Sequence, residues 1–241
     1  MKRITLLFII TIAAFTASAA LPDPKEEAVS PEESERILGL IFERSTEIYS
    51  NYTGVESTRV ETMREYDPRT EKLRSVSEVT MKRKDYFYRD PEVEVLKYTK
   101  DGVEMKPSAY RVFKSRPAYP VFDEKGRERY TIRVAAIQKL NRKKVYRIEV
   151  TPKANTPLHF KGNIYCTKKS LETVLIEGTM AKLGFPLREF RMELRFTSVE
   201  DIPVVESGTV HVRVKVPIVY PDTKIVSEFT ASDTKLLKQG R

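Results

Sequence analysis

From residue 55 onward the chain alternates apolar and polar side chains with a period of two. The pattern is clearest in Leu187-Arg188-Glu189-Phe190-Arg191-Met192-Glu193-Leu194-Arg195-Phe196, where Phe190, Met192, Leu194 and Phe196 are separated by Arg191, Glu193 and Arg195. A strand turns such a row into one apolar face and one wet face. Val210, Val212, Val214 and Val216, interleaved with His211, Arg213 and Lys215, repeat it. Strands are therefore expected over 55–66, within 73–88, and over 92–99 and 103–106, the last two flanking Asp101-Gly102, a strong hairpin signal. Further strands are expected over 130–140 and 145–150, joined across Asn141-Arg142, with Tyr146, Ile148 and Val150 on one face. The segments 159–166, 171–180, 187–199, 204–216 and 223–229 complete about ten or eleven strands.

A single stretch carries the helical period. Ser30 is a capping residue, Pro31 suits the first turn, and Glu33 completes a capping box. Ile37, Leu38, Leu40, Ile41, Ile48 and Tyr49 form the apolar stripe, with Phe42 and Tyr52 beside it, so the helix should reach about Ser50. One helix followed by consecutive hairpins predicts a mainly β protein built on an antiparallel meander.

Area makes that prediction specific. Ten strands at ~4.8 Å spacing and roughly 26 Å length present on the order of 1,200 Å² on one face, whereas one helix ~10 Å wide and ~30 Å long shades about 300 Å². The sheet must close into a filled barrel, stack as two sheets, or curl into a half-barrel with a hollow. A hollow lined by Phe, Met, Leu and Val suits acyl chains. Phe190, Met192, Leu194, Phe196, Tyr146, Ile148, Val210 and Val212 are the candidate lining, with ordinary packed core as the competing reading. The methionines Met63, Met81, Met180 and Met192 would make such a lining adaptable.

The 107–129 segment breaks the rhythm with Pro107, Pro117, Pro120 and the aromatics Tyr110, Phe113, Tyr119 and Phe122. It is either a functional cover or an irregular loop that tucks its aromatics into the core. At the N-terminus, Met1-Lys2-Arg3 precedes an apolar run, and Ala17-Ser18-Ala19 supplies small residues where a signal peptidase reads. The expected organisation is a signal peptide over 1–19, a linker over 20–29, one domain over 30–236 and a tail over 237–241. No cysteine follows the cleavage site, so lipid attachment there is not expected. Loss of Lys2 and Arg3 with the leader lowers the formal charge from +9 by two, to +7, which suits an anionic membrane surface or an acidic envelope partner.

Cys166 is the lone cysteine, excluding an internal disulfide, and its strand setting reads as a buried small apolar residue. His159 and His211 lack partners at ligand spacing, so no metal is expected. No nucleophile elbow, phosphate loop or dinucleotide fingerprint occurs, and no catalytic pair or cofactor can be nominated. Lys82-Arg83-Lys84-Asp85-Tyr86-Phe87-Tyr88-Arg89 imitates a nucleic-acid platform, but an exported chain does not meet nucleic acid, and the stretch suits anionic head groups instead.

Three short stretches resemble the LolA-like group of periplasmic proteins, which includes the lipoprotein carrier LolA, the receptor LolB and the amino-terminal domain of RseB. They are Tyr146-Arg147-Ile148-Glu149-Val150-Thr151-Pro152-Lys153, Gly162-Asn163-Ile164-Tyr165 and Leu171-Glu172-Thr173-Val174-Leu175-Ile176-Glu177-Gly178. The long 190–196 strand and the Ile202-Pro203 after its turn extend the resemblance over about 32–236. The long 107–129 segment and the want of a second helical cover depart from it. The resemblance implies a half-barrel holding acyl chains, and hence a monomeric periplasmic carrier of lipid or lipoprotein. Its alternative is an RseB-like sensing module that binds an envelope protein.

Overall fold

The computed structural model describes residues 26–110, 120–157, 159–216 and 220–239. The proposed signal peptide lies outside the described residues. Helix α1 spans Pro31–Asn51, and its cap is the expected one: Ser30 accepts a hydrogen bond from the Glu33 N–H at 3.1 Å. Ser34, Ile37, Leu38 and Ile41 form its buried stripe, while Leu40, placed in the stripe from the sequence, faces solvent.

Among the described residues, twelve strands form one antiparallel sheet: β1 Glu27–Ala28, β2 Tyr52–Tyr66, β3 Leu73–Tyr86, β4 Glu92–Lys100, β5 Val103–Met105, β6 Tyr130–Leu140, β7 Lys143–Pro152, β8 Phe160–Thr167, β9 Thr173–Met180, β10 Leu187–Val199, β11 Ile202–Val216 and β12 Tyr220–Lys238. A short 3-10 turn, Pro107–Ala109, and a one-turn helix α2, Gly126–Arg129, lie in the long connection. The order across the sheet is β1-β6-β7-β8-β9-β10-β11-β12-β2-β3-β4-β5, so it is curled but unclosed, with β1 and β5 at its edges.

Three features refine the sequence reading. The sheet is two meanders, β2 to β5 and β6 to β12, joined because the last strand pairs with the first strand after the helix. The expected linker contains β1, whose Glu27 and Ala28 pair with Ile137 and Ala136 of β6. The final strand continues past Phe229 to Lys238, into the expected tail, through a register shift between Ser232 and Lys235 around Asp233, whose φ is +51°. That half of β12 is mostly polar, and Leu236 and Leu237 are adjacent rather than alternating, so no apolar period announces it.

The long connection must travel from one edge strand, β5, to the opposite side at β6. Its described ends both tuck inward. The Tyr110 hydroxyl lies 3.9 Å from Met63 Sδ and its ring packs edge-on against Tyr98, with centroids 5.3 Å apart. Phe122 is buried edge-on against Phe42 of α1 at 5.6 Å. Phe113 and Tyr119 lie outside the described residues.

Helix α1 covers one part of the sheet. Ile37, Leu38 and Ile41 join Val134, Ile137, Tyr146, Ile148, Val150, Phe160, Ile164 and Cys166 in the main core. Ser34 Oγ accepts the Val134 N–H at 2.9 Å beside a register shift in β6, tying helix to strand. Further along, Arg44 donates to the Ser170 and Asp201 carbonyls, both at 2.5 Å, and pairs with Glu172 at 3.4 Å, holding the helix over two hairpin turns. A separate small core of Val79, Met81 and Tyr98 lies on β3 and β4, packed by Val93, Val95 and Tyr110.

Candidate functional site: an apolar wall beyond the helix

Directly paired residues in an antiparallel ladder share a face. Phe190, Met192 and Leu194 of β10 stand opposite Val212, Val210 and Gly208 of β11. The same row continues to Ile225, Ser227 and Phe229 on β12, and in the other direction Met192 and Leu194 face Gly178 and Ile176 on β9. Through Ile164 and Ile148 it reaches the core under α1. The row is therefore the inner face of the curled sheet.

Cover divides the eight nominated residues. Tyr146 and Ile148 are buried in the core beneath α1, Ile148 with 0% of its surface exposed. Phe190, Met192, Leu194, Phe196, Val210 and Val212 are all half-buried. Met192 packs against the rim of the main core, and Phe190, Leu194, Val210 and Val212 adjoin it along the ladder, whereas Phe196 lies past a register shift and pairs with Val205. Ile176 and Ile225 share this wall and were not nominated.

Glycines flatten the wall. A Cβ on Gly208 would come within 2.7 Å of the Phe229 ring and 2.8 Å of Leu194 Cδ2, and one on Gly178 within 2.5 Å of the Phe160 ring. The two aromatic rings lie across strand backbone that only glycine leaves open. The signal available in the sequence was a glycine inside an otherwise regular strand.

Beyond Phe229 the inner face becomes polar, which the expectation of a uniformly apolar face missed. Arg59 and Glu61 of β2 pair in register with Met81 and Val79 of β3, so their side chains point inward. The Arg59 guanidinium sits 4.1 Å above the centre of the Phe229 ring and 3.4 Å from Asp85, which also accepts from Arg83 at 2.6 Å. Glu61 accepts from the Ser227 hydroxyl. Burial, followed by the Arg83 charge, pushes the Arg59 pKa down, while Asp85 and Glu61 oppose the fall. Its buried Nε has no hydrogen-bond partner among the described residues. The inner face thus runs from sealed core, through a half-open apolar wall, to an ion-paired strip on β2, and on to the small core of Val79, Met81 and Tyr98.

A separate cavity of about 350 Å³ lies between Thr46, Tyr49 and Ser50 of α1, Tyr88, and Asp123, Glu124, Lys125 and Arg129 of the long connection. The Asp123–Arg129 ion pair, 2.9 Å, closes one side. Burial, then Tyr88 and Asp123, raise the Tyr49 phenol above its ordinary range. This cavity mixes charged and hydroxyl groups with the Tyr49 and Tyr88 rings and is distinct from the wall.

Neither histidine sits on the wall. His159 is buried with its ring edge-on to Tyr130 at 5.4 Å and Nδ1 2.5 Å from Thr156 Oγ1, whereas His211 is exposed on the outer face. Among the described residues no group of three His, Cys, Asp or Glu side chains is placed to hold a metal ion, and no helix is long and apolar enough to cross a membrane. Cys166 is fully buried, and burial pushes its thiol up to about 12 against smaller opposing effects of the Thr173 hydroxyl and Arg44.

No family model matches the sequence, and no curated protein matches it. Solved structures similar in chain path include a LolA superfamily protein from Nitrosomonas europaea, at 11% identity and a TM-score of 0.41, covering 85% of this chain and 94% of that one. A DUF1329 family protein from Desulfovibrio piger is similar at 12% identity and a TM-score of 0.44, covering 84% and 92%. The MucA/MucB complex from Pseudomonas aeruginosa contains a chain similar at 9% identity and a TM-score of 0.26, covering 84% and 98%.

Proposed function

We propose that this chain is a LolA-like carrier of lipid or lipoprotein that holds acyl chains against the inner wall of β9 to β12. The observation that carries the reading is the row of half-buried apolar side chains, Phe190, Met192, Leu194, Val210 and Val212, lying just past the edge of the helix cover. An apolar row continuous with a core but left partly open is a surface built to be covered by something else. Covering ~300 Å² of it would contribute about 7 kcal/mol at ~25 cal/mol/Å². Lost translational and rotational freedom offsets several kcal/mol of that gain, so binding is expected to be reversible, as a carrier requires.

The carrier works in the cell envelope after export, with residues 1–19 removed, so the mature chain begins at Ala20. The apolar run before Ala17-Ser18-Ala19 supports this placement. Chemistry needs no cofactor here; the work is sequestration of apolar surface from water.

Organic extraction of the protein purified from its own envelope without detergent, followed by mass spectrometry, tests the reading. The expected result is acyl-chain lipid in near-stoichiometric amount, together with an intact protein mass beginning at Ala20. A lipid-free protein recovered in a stable complex with another envelope protein would replace the carrier by a partner-binding sensor.

A further inference from the structure

Phe185 is the most exposed large apolar side chain among the described residues, at 72%. It stands in Ala181-Lys182-Leu183-Gly184-Phe185-Pro186, the turn between β9 and β10. Three backbone hydrogen bonds fix the base of this turn. The Ala181 N–H donates to the His159 carbonyl at 2.8 Å, the Leu187 N–H to Gly184 at 2.8 Å, and the Lys215 N–H to Pro186 at 3.1 Å. The turn is thus a built platform that displays one aromatic ring to solvent, rather than a loose end.

Cations surround it. Lys182 and Arg188 flank the turn, Lys215 is held beside Pro186, and Lys161 and Arg191 follow on the outer face of the adjoining strands, in register with Thr179 and His211. All five are exposed, and none has an ion-pair partner within 4.0 Å among the described residues. The nearby carboxylates Glu189 and Asp222 are both held by Arg213, at 3.0 and 2.8 Å.

We propose that the β9–β10 turn docks this protein on an anionic lipid bilayer, with the Phe185 ring entering the boundary between head groups and acyl chains and the surrounding cations meeting lipid phosphates. A lone protruding aromatic with a ring of unpaired cations fits an interface that is soft, apolar below and negative at its surface. Phe190, five residues along β10, begins the apolar wall, so docking brings the open end of the wall to the membrane. The inference stands on the turn alone; vesicle binding and acyl-chain binding fail independently.

The chain contains no tryptophan, so Phe185→Trp supplies a single fluorophore at the tip. Its emission should shift to the blue on adding vesicles of equal phosphatidylglycerol and phosphatidylcholine, and stay unshifted with phosphatidylcholine alone. In co-sedimentation, Phe185→Ser should weaken binding about tenfold. The Lys182→Gln, Arg188→Gln, Lys215→Gln combination should weaken it about a hundredfold, at ~fivefold per cation. These positions are exposed, so unchanged thermal melts confirm that the variants fold. No emission shift with saturating anionic vesicles, or wild-type binding by Phe185→Ser, overturns the proposal. So does equal binding to neutral vesicles, or capture by an acidic protein with no vesicle binding.

Discussion

The boundary between sealed core and open wall makes a quantitative prediction. Ile148→Ala removes three carbons from a fully buried site between Val134 and Ile164. The transfer and cavity contributions together should cost about 3–4 kcal/mol. For a domain of this length that lowers Tm by about 10 °C. The paired substitution Val210→Thr, Val212→Thr keeps the β-branched shape that strands favour. Both sites are half-buried, so each new hydroxyl keeps access to water and the pair should cost no more than ~1 kcal/mol in stability. Against a bound acyl chain, however, the two hydroxyls lose hydration, weakening binding by ~2 kcal/mol, or about thirtyfold. Circular dichroism melts and titration with an anthroyloxy-labelled stearate measure the two effects side by side. Equal destabilisation by both variants would mean the wall is sealed core, and unchanged stearate affinity in the threonine pair would remove the wall as the binding surface.

Cys166, with its thiol pushed up to about 12, should resist iodoacetamide at pH 8 in the folded protein and react fully after unfolding. Because the unfolded thiol ionises near ~8.5, its contribution to stability is complete below that pH and is lost as pH rises toward 12, which alkaline melts of wild type against Cys166→Ala would detect. Asp123→Asn removes the buried carboxylate that pairs with the Arg129 guanidinium at 2.9 Å and should cost about 1–3 kcal/mol, read by urea denaturation. Ser34→Ala strips the buried Val134 N–H of its acceptor and should cost ~1–3 kcal/mol, with faster amide exchange at Val134 than elsewhere in β6.

Much of the architecture was legible because it rests on local patterns. Ser30, Pro31 and the Ile37–Leu38–Ile41 stripe fix α1, and period-two alternation fixes most strands to within a few residues. What escaped was set by tertiary pairing. The lower half of β12 is mostly polar and owes its strand form to pairing with β2 from Tyr52 to Thr58. The joining of two meanders depends on that same pairing and leaves no mark in either strand alone. Arg59 and Glu61 occupy inward positions that alternation would reserve for apolar side chains, and they are tolerated because Phe229, Asp85 and Ser227 meet them. In the candidate site, the apolar row was visible in the sequence. Which members were covered was not, since that is decided by where α1 comes to rest: over Tyr146 and Ile148, and short of Val210 and Val212.

An acyl chain held on the wall of β9 to β12 would be carried as bound mass. Native mass spectrometry of the mature protein, released gently from its own envelope, tests this most directly. The expected spectrum shows a bound mass matching one acyl-chain lipid, present on wild type and on Phe185→Ser but lost from the Val210→Thr, Val212→Thr pair. A single ligand-free mass for a folded wild-type protein, still ligand-free after incubation with lipid vesicles, would contradict it.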